Sequence, residues 1–247
     1  MINLVVDIGN TLSKIALFNN RELVTTELIS TLNSSYLTTF IKDNKIQNSI
    51  VSSVKADVHD IQDCLKTQTR YLHFTASTKS PIINEYKSPA TLGADRYAAV
   101  IGAAALYPNE NCLVIDSGTC ITYDFIDAEK KYWGGSISPG LEMRFKAMHS
   151  FTGKLPLVKS ELAFSEQYGN DTNSSILTGV QNGIKYEALG FIESYYSKWP
   201  NLKVLLCGGD MNFFDTQLKS SIFAHTLKTE SNLVLIGLNE VIHHNND

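Results

Sequence analysis

Leu4-Val5-Val6-Asp7-Ile8-Gly9-Asn10-Thr11-Leu12-Ser13-Lys14 is the stretch on which the reading of the whole chain turns. An apolar run ends in an aspartate, a Gly-Asn-Thr turn follows, and Ile15-Ala16-Leu17-Phe18 resumes the apolar pattern. The pattern predicts strand, tight turn, strand, because Gly and Asn tolerate the positive φ that such turns require. The turn amides, the Thr11 hydroxyl and Lys14 can together cradle a phosphate. Asp7, at the strand end, can hold Mg²⁺ directly or through water. An ordinary hairpin with a capping Asp and Thr accounts for the same residues. A second copy tips the balance. Leu113-Val114-Ile115-Asp116-Ser117-Gly118-Thr119-Cys120-Ile121-Thr122-Tyr123 repeats apolar strand, Asp, small residue, Gly, Thr and strand. Two such units imply a duplicated fold with a phosphate loop on each half and a nucleoside triphosphate in a cleft between the halves.

The chain's 247 residues, 43% hydrophobic and 19% charged, are enough for one large domain or two modest ones. A formal net charge of −4 leaves no basic stripe for nucleic acid and no polybasic membrane segment. Bound nucleotide would have to be neutralised by local amides and a metal ion. Cys64, Cys112, Cys120 and Cys207 are scattered without C-x-x-C or zinc spacing, as expected of reduced, buried thiols. The chain opens directly into a strand and has no apolar run of membrane-spanning length, so the expected product is a cytoplasmic protein that binds neither membrane nor nucleic acid.

Taken in order, strands are expected at 3–8, 14–19 and 23–29, then a helix over 33–43 capped by Ser34 or Ser35. A strand at 49–54, a helix at 57–66 and a strand at 71–74 complete an α/β pattern. Residues 75–92 form a long loop holding Tyr86, a length usually tied to function. Tyr86 serves equally as a pin holding that loop to the core. Leu92-Gly93-Ala94-Asp95-Arg96 opens a helix through Tyr107. Asp95 in a first turn complements the helix dipole, or it accepts a proton from a substrate hydroxyl as general base. Arg96 binds an anion bidentately, or makes a surface ion pair.

The second half, 111–247, follows a first half of 1–110. Gly134-Gly135-Ser136-Ile137-Ser138-Pro139-Gly140 is a glycine-rich strand end leading into a helix from Leu141 to about His149. One long helix is expected over 173–199, capped by Ser174 or Ser175. Gly179 and Gly183 share a face, and glycines inside a helix cost about 1 kcal/mol each against Ala, so close packing within the fold or across a dimer is the expected reason. Thr178 beside them has an ordinary alternative, a bond back to a carbonyl. A buried strand, 204–207, ends in Gly208-Gly209. Short strand 222–224 and a closing helix 232–243 follow, with His243-His244 as a frayed end and no histidine read as a ligand.

Together these residues resemble a type III pantothenate kinase, within the acetate and sugar kinase/Hsp70/actin superfamily. The motifs that carry the resemblance are Asp7-Ile-Gly-Asn-Thr-x-x-Lys14, Gly93-Ala-Asp-Arg96, Asp116-Ser-Gly-Thr119, Gly134-Gly-x-Ile-x-Pro-Gly140 and Thr178-Gly179, spread over nearly the whole chain. The resemblance implies a duplicated ribonuclease H-like, actin-like ATPase fold. It implies ATP-dependent phosphorylation of pantothenate, the first step of coenzyme A synthesis. ATP would be bound by Asp7, Ile8, Gly9, Asn10, Thr11, Leu12, Ser13, Lys14 and Thr119. Pantothenate would be bound by Tyr86, Gly93, Ala94, Asp95, Arg96 and Thr178, with Asp95 as proton acceptor. Asp116 would hold a monovalent cation, potassium or ammonium, used besides Mg²⁺, and a homodimer would complete the substrate site. The departures, Leu12-Ser13 after the first Thr and Gly153 where Ala is common, carry no chemistry. Gly208-Gly209 stays outside the expected site. Two other readings stand beside this one: a kinase of another small hydroxyl compound in the same superfamily, and a non-catalytic regulatory or binding relative.

Overall fold

A computed structural model describes residues 1–9, 12–53 and 58–246. In chain order its elements are β1 (Ile2–Ile8), β2 (Ser13–Asn19), β3 (Glu22–Ile29), α1 (Ser34–Asn44), β4 (Asn48–Ser53), α2 (His59–Gln68), β5 (Arg70–His73), β6 (Ile83–Asn84) and α3 (Ala94–Leu106). There follow β7 (Cys112–Ser117), β8 (Cys120–Ile126), β9 (Lys131–Pro139), α4 (Leu141–Ser150), α5 (Thr172–Leu177), α6 (Gly183–Tyr196), β10 (Lys203–Cys207), α7 (Met211–Leu218), β11 (Leu227–Thr229) and α8 (Leu233–Asn246).

Two units interleave in sequence. The first comprises Met1–Asn109, Ile126–Trp133 and Asn232–Asp247, and the second Glu110–Phe125 and Gly134–Ser231. A single cut between 110 and 111 therefore does not describe them, because the chain's last helix belongs with its first strands.

The first unit is built on a five-stranded sheet in the order β3-β2-β1-β4-β5. β1, β2 and β3 are antiparallel, while β4 and β5 join in parallel. Alternation along β1 assigns its two faces. Leu4, Val6 and Ile8 pack with Leu37 and Ile41 of α1 and Ile61 and Leu65 of α2. Asn3 lies on the opposite face, where its amide donates to Asn239 of α8 at 2.8 Å and its carbonyl accepts from Asn48 at 2.9 Å. Asp7 shares that face by the same alternation. α8 lies against α3 in backbone contact. A Cβ on Gly102 would collide with the Leu233 carbonyl, and one on Gly237 with the Ala98 carbonyl. The helix that begins with Ala94-Asp95-Arg96 is therefore seated directly on α8, which also packs on β1 and β4.

The second unit has β11-β10-β7-β8-β9 as its sheet order, with β10 parallel to both β7 and β11. Its core joins Leu113, Ile115, Tyr123 and Leu206 to Phe145 of α4, Ile184 and Ile192 of α6, and Phe214 of α7.

Several expectations change. The cap of α1 is Asn33, whose side chain accepts from Tyr36 N, and not Ser34 or Ser35. The long helix begins with Asp171, whose carboxylate accepts from the Asn173 and Ser174 amides, and a π-helical turn over Thr178–Asn182 divides α5 from α6. A Cβ on Gly179 or Gly183 would meet nothing within 4 Å, so close packing within the chain is not their reason. The expected strand 222–224 gives way to a 3₁₀ turn, Ala224–Thr226, and pairing starts only at Leu227. His243 and His244 lie inside α8, with His243 buried, because the helix runs on to Asn246.

Candidate active site

In the first unit the β1–β2 register sets Asp7 opposite Lys14, and the parallel β4 sets Ser52 beside Asp7. Burial, and then the charge of Asp95, push the Asp7 carboxyl up to about 6; Ser52 and Lys14 oppose this. The Ser52 hydroxyl is itself buried and makes no hydrogen bond of ordinary geometry. A buried carboxylate with a second carboxylate near it is costly to ionise, so this group gains from a bound cation. Mg²⁺ commonly takes one or two carboxylates and fills its remaining positions with phosphate oxygens and water. Asp7 suits that pattern.

The turn itself differs from the expected cradle in one respect. The Gly9 N–H donates to the Leu12 carbonyl at 3.1 Å and is spent on closing the turn. Asn10 and Thr11 lie outside the described residues. Leu12 is exposed, whereas Ile8 and Ser13 are buried.

At the start of α3, Gly93 occupies the N-cap position and has no side chain to cap the helix. Asp95 does so instead: its Oδ1 accepts from the Arg96 N–H at 2.8 Å. A Cβ at position 93 would lie 2.5 Å from that oxygen. The Gly-Ala-Asp-Arg spacing thus has a steric cause, since the carboxylate folds back over a residue without a side chain. Arg96 is buried, not at the surface, and its guanidinium lies 5.7 Å from the centre of the Tyr86 ring. Tyr86 in turn stacks on Tyr132 at 6.1 Å and an 11° interplanar angle. The long loop is held at Tyr86 by β6, which pairs with Lys131 and Tyr132 at the start of β9. Tyr86, Gly93, Ala94, Asp95 and Arg96 therefore fall within one neighbourhood of the first unit.

In the second unit β7 ends at Asp116-Ser117, and Gly118-Thr119 turn the chain into β8. The Gly118 N–H donates to the Cys120 carbonyl at 2.9 Å, the counterpart of the Gly9 bond. Two glycines press on this turn. A Cβ on Gly140 would strike the Gly118 carbonyl, and one on Gly208 would strike the Ser117 carbonyl and the Asp116 carboxylate. Gly208 has φ +87°, a conformation L side chains rarely adopt. Ser117 Oγ donates to the Cys207 carbonyl at 2.9 Å, and the Gly140 N–H to the Thr119 carbonyl at 3.1 Å. From α4, Arg144 Nε donates to the Pro139 carbonyl at 2.9 Å, and Nη2 pairs with Glu187 at 2.6 Å. Thr119 is exposed at the tip, and the Asp116 carboxylate lies against the Gly208 turn; among the described residues no three His, Cys, Asp or Glu side chains gather as a metal site. Thr178 opens the π-helical turn and its hydroxyl donates to the Ser175 carbonyl at 3.0 Å, the ordinary alternative for that residue.

Sequence reasoning missed Tyr132, Ser52 and the Gly140 and Gly208 contacts. Both glycines had an available signal, Gly208 in a Gly-Gly pair closing a buried strand and Gly140 at the end of the glycine-rich strand, whereas Tyr132 and Ser52 had none.

The model of the family described as type III pantothenate kinase matches residues 3–198. The chain belongs to the type III pantothenate kinase family. It is 44% identical to a type III pantothenate kinase of Bacteroides fragilis strain YCH46, over 99% of both chains. It is 43% identical to that of Christiangramia forsetii, again over 99% of both. Among solved structures it is similar to a Campylobacter jejuni protein described as a Baf family transcriptional activator, with TM-score 0.63, 21% identity and 98% of each chain covered. It is also similar to the activator of 2-hydroxyisocaproyl-CoA dehydratase from Clostridium difficile, with TM-score 0.54, 12% identity, and coverage of 100% of this chain and 97% of that one. A putative sugar kinase from Cytophaga hutchinsonii is similar too, with TM-score 0.56, 13% identity, and coverage of 98% of this chain and 100% of that one. At these identities the three structures establish a shared fold, that of the actin-like ATPases and sugar kinases, and nothing further. Among the described residues no helix is long and apolar enough to cross a membrane.

Proposed function

We infer that this chain transfers the γ-phosphoryl group of ATP to the terminal hydroxyl of pantothenate, giving 4′-phosphopantothenate, the first step of coenzyme A biosynthesis. Membership of the type III pantothenate kinase family makes it an ATP-dependent phosphotransferase. The observation that carries the residue assignment is the Asp95 carboxylate, held by its own helix start over Gly93 and near Asp7.

Phosphoryl transfer asks a protein for positioning and charge neutralisation more than for covalent work. Asp95 accepts the proton of the attacking hydroxyl. Its fixed bond to the Arg96 N–H orients the carboxylate, and general-base help of this kind is worth about 10²- to 10⁴-fold. Arg96 and Tyr86 hold pantothenate, with Gly93 and Ala94 letting the substrate approach the backbone and Thr178 adding a contact. Lys14, Ile8, Gly9, Asn10, Thr11, Leu12 and Ser13, with Thr119, bind ATP. Asp7 would hold Mg²⁺, which neutralises phosphate charge when bound. Asp116 would hold a monovalent cation, K⁺ or NH₄⁺.

The active form we propose is a cytoplasmic homodimer. The open faces of Gly179 and Gly183 and the exposed Phe151, Leu162 and Tyr186 of the second unit support an apolar partner surface. A coupled ATP-consumption assay tests the whole reading. Turnover should require pantothenate and rise when K⁺ replaces Na⁺. Folded protein that hydrolyses no ATP in response to pantothenate under either salt would overturn it.

A further inference from the structure

We propose that Tyr132 is a positioning residue for the substrate side of the site, its ring setting the spacing between the Tyr86 segment and the start of α3. The proposal rests on the reading of Tyr86, Asp95 and Arg96 as the pantothenate site. Tyr132 is fully buried and lies between two aromatic neighbours. One is Tyr86, stacked at 6.1 Å and 11°. The other is Tyr97, next to Arg96 on α3, at 6.0 Å and 46°. Tyr97 stacks on Phe74 at 5.9 Å, and its hydroxyl is 2.7 Å from Ser80 Oγ, so that end of the series is anchored in the core. The Tyr132 carbonyl also accepts the Glu85 N–H at 3.0 Å, and the neighbouring Lys130 carbonyl accepts Ile83 N–H at 2.8 Å. Tyr132 therefore holds the Tyr86 segment twice, through its ring and through its backbone, and refers both holds to α3. Rings pack with fixed offset and separation, which a flexible side chain of similar volume does not reproduce.

The test compares the full-length protein with Tyr132→Met and Tyr132→Phe. KM for pantothenate and for ATP is measured, together with amide exchange at Glu85 against Val5 by NMR. In Tyr132→Met, KM for pantothenate should rise about five- to tenfold, the size of one aromatic pair, with KM for ATP unchanged. Glu85 exchange should accelerate while Val5 does not. Tyr132→Phe, which keeps the ring, should restore both. Unchanged Glu85 exchange in folded Tyr132→Met, or parallel rises in both KM values, would overturn the proposal. If the parent protein shows no pantothenate-dependent turnover, the functional reading falls, and Glu85 exchange alone decides the role of Tyr132. If Tyr132→Met does not fold, Tyr86→Leu removes the same stack from its more exposed side. Faster Glu85 exchange there supports the proposal, and no change refutes it.

Discussion

Four positions of the sequence separate Ile8, the end of β1, from Ser13, the start of β2, whereas only Gly118 and Thr119 separate Ser117 from Cys120. Both turns follow an apolar strand ending in Asp, and both spend a glycine N–H on closing themselves. Their supports differ. Around Asp7 the determining terms are electrostatic: burial raises its carboxyl most, the charge of Asp95 raises it further, and Ser52 and Lys14 lower it. Around Asp116 the determining contacts are steric, with Gly140 and Gly208 pressed against the turn and Ser117 tied to Cys207. A repeated pattern in the chain thus does not bring repeated physics. One copy should respond to charge and pH, the other to the addition of a single methyl group.

The largest effect expected is in the first unit. Asp95→Asn should lower turnover about 10²- to 10⁴-fold while leaving ATP affinity nearly intact, as single-turnover and ATP-binding measurements would show. Full turnover in that variant would remove the base from the mechanism.

Asp7→Asn should separate stability from activity. A carboxyl raised from 3.8 to about 6 stays protonated in the folded protein while the unfolded chain has already lost its proton. Stability therefore falls as pH rises through that window, and the full cost, about 3 kcal/mol at ~1.4 kcal/mol per unit, applies above it. Without divalent metal, Asp7→Asn should melt higher than the parent at pH 7.5, and the gain should fade as the pH approaches 4. A gain that did not depend on pH would contradict this account of Asp7.

In the second unit Gly208→Ala should cost about 2 kcal/mol or more, from the positive φ and the collision with Ser117. That lowers the melting temperature by roughly 4–8 °C at this chain length. Gly209→Ala, where a Cβ meets nothing within 4 Å, should leave it almost unchanged. Equal shifts in the two variants would show that steric support is not what distinguishes this turn. The smallest effect is assigned to Lys14→Met. Loss of one charge-assisted contact, about 1.5 kcal/mol, should raise KM for ATP about tenfold with little change in KM for pantothenate.

Much of this was legible in the chain. The turn pairs Asp7–Gly9 and Asp116–Gly118 sit where the apolar runs break, and Gly93–Arg96 opens its helix as the spacing implies. What escaped notice depends on partners distant in sequence. Tyr132 reads as a strand residue until Tyr86 and Tyr97 are placed beside it. Nothing local to Asp7 announces Asp95. The misplaced caps have a local cause: Asn33, Ser34 and Ser35 are all good cap residues, and only the extended backbone at Asn33 selects among them. Residues 222–224 are apolar enough for a strand, but their chain turns at Ala224–Thr226 before pairing begins.

The backbone contact of Gly102 and Gly237 has a consequence for the order of synthesis. Helix α3, which presents Asp95 and Arg96, is made early, yet the surface it rests on is made after the whole of the second unit. A ribosome that has finished the second unit has still not supplied α8. Until then β1 lacks Asn239 beside Asn3, and Ala98 and Gly102 face no partner. The helix bearing the proposed base therefore acquires its seat only once α8 has been made, which makes premature termination before residue 233 a loss of catalysis as well as of length.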